Sequence, residues 1–149
     1  MHKTSRVLAI DYGTKRIGLA LSDELRILAR PIGYLENTNR LQKEILAIIE
    51  KETVGCVIIG LPKTLAGSDS EFTAAVRIFA EKLFAKLDEK NIDYHFYDER
   101  LTSIMAKTNI AEQGWSKSKR EEKYRHDEEA ARIILQEWLD CHKIADKPL

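Results

Sequence analysis

Short apolar runs and helical stripes alternate along this chain, and together they predict its elements. Residues 7–10 (Val-Leu-Ala-Ile), 17–21 and 56–59 are apolar runs of strand length. Between the first two stand Asp11, Tyr12, Gly13, Thr14, Lys15 and Arg16, so the first run ends on an acid followed closely by a glycine. Residues 22–24 predict a turn, and Leu25 to Ala29 a third strand closed by Pro31 and Gly33. Links this short make the three strands antiparallel, because a parallel return needs a long crossover.

The rhythm then changes. Leu41, Ile45, Ile48 and Ile49 share one face of a helix. After the buried run 56–59 comes a loop, and Ser68 with Glu71 forms a capping box that opens a second helix. Phe72, Ala75, Val76, Phe79, Ala80, Leu83, Phe84 and Leu87 keep helical spacing throughout, as core residues do. Residues 93–97 predict another strand, with Tyr94 and Phe96 on one face and His95 and Tyr97 on the other. Thr102 caps a helix running towards Gly114, residues 115–126 predict a mobile polar loop, and a last helix begins near Asp127. That last helix buries Ala130, Ala131, Ile134, Leu135 and Trp138. The order is three strands, helix, strand, helix, strand, helix, helix. It predicts an α/β fold with a mixed five-stranded sheet, an antiparallel meander joined to parallel strands, with helices on both faces. Ligand sites in such sheets lie beyond the carboxyl ends of the parallel strands.

Composition narrows the partners. A chain of 149 residues predicts one domain over 1–149, and 44% hydrophobic with 32% charged residues suits a globular protein. The 24 basic and 24 acidic residues cancel, so a nucleic-acid site has to be a local patch. No apolar run approaches membrane-spanning length, and the N-terminus has no signal-peptide apolar region, so no membrane partner is expected. Cys56 and Cys141 have no paired spacing for zinc or a disulfide framework, which predicts reduced thiols and a cytoplasmic setting.

Chemistry converges on one sheet edge. The strands ending at Asp11, at Gly60 and at Asp98-Glu99 all finish there. Asp98 and Glu99 point to opposite faces, so only one can face a given pocket. Asp127 precedes Ala130, Ala131 and Ile134 by helical spacings and joins the buried face of its helix. Each acid also has a plain structural role open to it: Asp11 with Gly13 suits a hairpin turn, and Asp127 suits a helix cap. Carboxylates brought together repel unless a cation joins them, and hard oxygen ligands suit Mg²⁺ or Mn²⁺. Paired ions of this kind serve phosphodiester hydrolysis best. Gly60, Gly67 and Ser68 form a loop feeding a helix N-terminus, a phosphate-binding feature or simply a tight connection. Lys15 and Arg16 beside Asp11, and Lys117, Lys119 and Arg120 in the basic loop, suit a nucleic-acid backbone. Trp115 and Tyr124 offer stacking faces.

The motifs as a set resemble the bacterial YqgF family. Ala9 to Asp23 resembles its opening signature, followed by Ile59-Gly60-Leu61-Pro62 with Gly67-Ser68, then Tyr97 to Ser103, then Asp127 leading into Ala130-Ala131 and Ile134-Leu135-Gln136. They come in the family's order over nearly the whole chain. His126, Glu128 and Glu129 depart from the more apolar surroundings of the last acid in the family pattern. The resemblance implies an RNase H-like fold, Holliday-junction-resolvase-like chemistry, and a nuclease maturing the 5′ end of pre-16S rRNA in ribosome biogenesis. It implies Asp11, Glu99 and Asp127 as catalytic metal ligands, choosing Glu99 over Asp98. Arg100, Thr102 and Ser103 beside it are expected to contact nucleic acid.

The expected partners are precursor rRNA, branched DNA as a second substrate, and pre-ribosomal particles; the expected state is a monomer or weak homodimer. Two other classes compete. Asp11-Tyr12-Gly13-Thr14 also resembles the first phosphate loop of the actin and sugar-kinase superfamily, which needs two such domains to enclose ATP. A non-catalytic rRNA-binding assembly factor with the same fold would bind through the basic loop and survive loss of Asp11.

Overall fold

The computed structural model describes residues 5–61, 71–98 and 129–142. Five strands, β1 (Arg6–Asp11), β2 (Arg16–Ser22), β3 (Ala29–Glu36), β4 (Val54–Leu61) and β5 (Asp93–Asp98), form one sheet in the order β3-β2-β1-β4-β5. Helix α1 (Leu41–Lys51) leads from β3 to β4, α2 (Glu71–Glu89) precedes β5, and α3 spans residues 129–142. β1–β2 and β2–β3 pair antiparallel, while β1–β4 and β4–β5 pair parallel. The mixed five-stranded sheet expected from the pattern is the sheet observed.

Alternation along the strands builds a core on each side. Leu8, Ile10, Ile17, Leu19, Leu21, Val57, Ile59 and Leu61 face α1 and α2, where Leu41, Ile45, Ile49, Val76, Phe79, Leu83 and Leu87 meet them. Val7, Ala9, Ala20, Cys56 and Ile58 face the other way and meet Ala131, Ile134, Leu135, Trp138 and Leu139 of α3. Both faces of the central strands are therefore dry, which is why their sequences are runs rather than alternations. Full burial of each large aliphatic side chain contributes on the order of 1.5–3 kcal/mol.

The third strand needs correcting. Leu25 to Leu28 lie in a turn, and β3 starts only at Ala29. The Asp23 carboxylate accepts the N–H groups of Ile27 (2.7 Å) and Leu28 (3.0 Å), and the Asp23 N–H donates to Leu28 O (3.1 Å), so the backbone polar groups of this stretch are spent inside the turn. Leu25 and Leu28 are 70% and 67% exposed, so their apolar character marks no core face. Pro31 and Gly33 do not close the strand but lie within it. β3 is a sheet edge, where a proline lacking an N–H is tolerated. Gly33 takes φ +105° at a bulge, where Ile32 is the extra residue between the pairs Leu19–Gly33 and Ala20–Pro31. β4 begins at Val54, two residues before the apolar run 56–59, and ends at Leu61.

The capping pair at Ser68, the helix from Thr102, the loop 115–126 and the start of the last helix lie outside the described residues. No described helix is long and apolar enough to cross a membrane.

Candidate functional site

Asp11 ends β1 on the face of Val7 and Ala9, the side covered by α3. Its neighbours across the sheet follow from register. On one side it pairs with Gly18, which pairs with Tyr34. On the other, one step past the pair Ile10–Ile59, comes Gly60, which pairs with Tyr97. The row is Tyr34, Gly18, Asp11, Gly60, Tyr97, so the half-buried carboxylate stands between two strand positions that carry no side chain.

The turn after Asp11 is tightly specified. Tyr12 points to the opposite face, its ring 4.9 Å from that of Phe79 and 6.0 Å from that of Phe72. Anchoring Tyr12 there holds the strand in the phase that turns Asp11 towards α3. Asn37, just past β3, donates from Nδ2 to the Tyr12 hydroxyl (3.0 Å) and to Gly13 O (2.9 Å), and its N–H donates to Lys15 O (2.9 Å). A Cβ at Gly13 would stand 2.3 Å from Arg16 O, so only glycine lets the chain double back so closely. The glycine serves the turn, while Asp11 ends the strand on the α3 side.

The sequence-predicted site residues divide into two groups. Lys15 is exposed on the turn, and the Arg16 guanidinium lies 4.7 Å from the centroid of the Tyr34 ring. Gly60 is buried inside β4, beside the Asp11 position. Asp98 pairs with Leu61, whose side chain belongs to the α1–α2 core, so Asp98 faces away from Asp11. Glu99, Arg100, Thr102, Ser103, Lys117, Lys119, Arg120, Asp127, Gly67 and Ser68 lie outside the described residues. Among the described residues, no three of His, Cys, Asp and Glu are grouped to hold a metal ion.

Polar contacts to α3 frame the site. The Tyr97 hydroxyl donates to Glu137 at 2.5 Å; burial, then this carboxylate, push its pKa well above the ordinary tyrosine range. At the far end, Gln136 accepts from Ala29 N and donates to Ile27 O, both at 2.9 Å, fastening α3 over the β2–β3 turn. Sequence reasoning missed Tyr34, Asn37 and Glu137 because their partners are far away along the chain. The one readable signal was Tyr97, assigned by alternation to the face opposite Tyr94 and Phe96.

Comparison with known proteins agrees with this architecture. A family model described as "RuvX: Holliday junction resolvase" matches residues 5–141. A "Putative pre-16S rRNA nuclease" of Maridesulfovibrio salexigens is 45% identical over 137 residues, spanning 90% of this chain and 97% of that protein. One of the same name from Phocaeicola vulgatus is 39% identical over 139 residues, spanning 93% and 98%. Among solved structures, Thermus thermophilus RuvC in complex with a Holliday junction substrate aligns with a TM-score of 0.57 at 15% identity, covering 97% of this chain and 99% of that one. The yeast mitochondrial Holliday junction resolvase Ydc2 aligns with a TM-score of 0.53 at 12% identity, covering 93% and 79%. At these identities the structural likeness bears on the fold.

Proposed function

The chain belongs to the RuvX family, and from that membership and its sheet geometry we propose that it is a nuclease hydrolysing phosphodiester bonds in structured nucleic acid. Its principal substrate in this reading is the 5′ end of pre-16S rRNA, as the names of its relatives suggest. The observation that carries the proposal is the position of Asp11: a carboxylate at the carboxyl end of a central strand, flanked by Gly18 and Gly60, with Lys15 on the adjoining turn and Arg16 opening β2. The neighbouring strand positions put no side chain directly beside the carboxylate, and the two cations favour the charge of a phosphodiester.

Asp11, Glu99 and Asp127 are the residues proposed to hold Mg²⁺ or Mn²⁺. Asp11 fits as a half-buried, hard oxygen donor at the carboxyl end of a strand. Glu99 follows Tyr97 by two residues, the spacing at which a strand returns to the same face, which supports it over Asp98. Bound ions would offset carboxylate repulsion, lower the pKa of an attacking water and stabilise the leaving oxygen. The chain's own contribution is to fix Asp11 through the Tyr12 anchor and the Asn37-braced turn, and to draw the backbone in with Lys15 and Arg16. Lys117, Lys119 and Arg120, with Arg100, Thr102 and Ser103, extend that contact in the same proposal, and Gly67 with Ser68 a phosphate loop. Free thiols at Cys56 and Cys141 accord with a cytoplasmic setting.

The test is cleavage of pre-16S rRNA and of a four-way DNA junction by purified protein with Mg²⁺ or Mn²⁺, beside Asp11→Asn. Cleavage of the RNA that Asp11→Asn abolishes and a chelator stops is the expected result. Cleavage of the junction alone moves the substrate to DNA. Binding without cleavage, unchanged by Asp11→Asn, replaces the nuclease with an assembly factor.

A further inference from the structure

Tyr34 shares the Asp11 face at the same level, with only Gly18 between them. Two interstrand spacings separate their backbones by about 10 Å. Regular alternation from Ala29, which packs on the α3 side, would have turned residue 34 towards α1. The one-residue bulge at Ile32 and the positive φ of Gly33 reset the phase and bring Tyr34 round to the face of Asp11.

Tyr34 is 45% exposed on the edge strand. Among the described residues, the other exposed large hydrophobic side chains lie elsewhere: Leu25 and Leu28 at the far end, Ile78 on α2, Phe96 on the α2 side. Arg16 sits 4.7 Å from the ring centroid and adds a positive charge to an aromatic plane. An aromatic plane backed by a guanidinium stacks a nucleobase and attracts its phosphate together. Bases inside a duplex are already stacked on each other, so the base that reaches this plane is unpaired.

We infer that Tyr34, backed by Arg16, stacks an unpaired base of the substrate beside the phosphate held at Asp11, which selects strands with an unpaired nucleotide next to the cleavage point. The inference rests on the nuclease reading for the role of Asp11 but is tested by binding.

The experiment titrates the full chain, Tyr34→Leu and Tyr34→Trp into short single-stranded RNA and DNA carrying 2-aminopurine, and into the fully paired duplex, with chelator present. Wild type and Tyr34→Trp should quench the probe. Tyr34→Leu should lose the quenching and weaken single-strand binding about 5- to 150-fold, while duplex binding stays unchanged. Quenching confined to the RNA or the DNA arm assigns the base to that polymer, and either supports stacking. No quenching by wild type, equal single-strand affinity in Tyr34→Leu, or an equal loss on the duplex overturns it. Matching unfolding curves for wild type and Tyr34→Leu tie the loss to the ring. If quenching holds but wild type cleaves nothing with Mg²⁺ or Mn²⁺, the nuclease reading fails alone; if cleavage depends on Asp11 without quenching, the stacking fails alone.

Discussion

The Tyr97 hydroxyl donates a 2.5 Å hydrogen bond to the Glu137 carboxylate, joining the last strand of the sheet to the final helix. Tyr97 lies in the same row as Asp11, so this bond sets how α3 sits over the candidate site. Tyr97→Phe leaves a half-buried carboxylate without that donor and should cost about 1–2 kcal/mol, the partial exposure of both groups discounting a larger value. Chemical denaturation of Tyr97→Phe, Glu137→Gln and the double variant checks it; a double variant less destabilised than the sum of the singles demonstrates the coupling.

Asn37 should matter to the nuclease without touching substrate. Asn37→Ala removes two side-chain donors from the turn that follows Asp11, with an expected loss of about 1–2 kcal/mol. Thermal unfolding gives the stability change. Cleavage should fall further than stability accounts for, since the released turn carries Lys15 and leads into Arg16.

Gly13→Ala should be more damaging than its single methyl suggests. Its Cβ would collide with backbone, Arg16 O at 2.3 Å, and no side chain can move aside to relieve that. The turn must open, at a cost of about 1–3 kcal/mol. A loss of cleavage in Gly13→Ala while its circular dichroism spectrum stays that of wild type places the damage at the turn.

Alkaline pH should destabilise the fold through Cys56. Burial pushes its thiol from 9.0 up to about 11, so the folded state keeps a proton that the unfolded chain releases. The stabilisation is fully present below pH 9 and is lost as pH rises towards 11, amounting to about 2–3 kcal/mol. The raised Tyr97 pKa acts in the same direction above its ordinary value of 10.0. Unfolding midpoints of wild type and Cys56→Ala across that range should converge as the pH rises. In the native state a thiol reagent should modify exposed Cys141 quickly and buried Cys56 only on unfolding.

How legible each part was follows from the range of its interactions. The central strands and helices were readable because burial on two faces, or on one helical stripe, writes a local period. Alternation alone separated Tyr94 and Phe96 from His95 and Tyr97, and Phe84 indeed stacks on Tyr94 while His95 lies near Trp138. β3 was misplaced because Leu25 and Leu28 look like core and are not, while Pro31 and Gly33 look like terminators and sit on an edge that tolerates them. Tyr34 was illegible for a sharper reason: one bulged residue inverts the facing of everything after it. Asn37 and Gln136 act across 24 and more than 100 positions of sequence, beyond any local pattern.

Pro31 and the Gly33 bulge have an effect beyond their own strand. An edge strand offers unpaired backbone groups to any extended segment from another molecule. In β3 the proline withholds one donor and the bulge bends the ladder, with charged Arg30 and Glu36 towards its ends. A straight strand cannot register against that edge, so the irregularity that turns Tyr34 towards the site also guards the sheet against edge-to-edge aggregation.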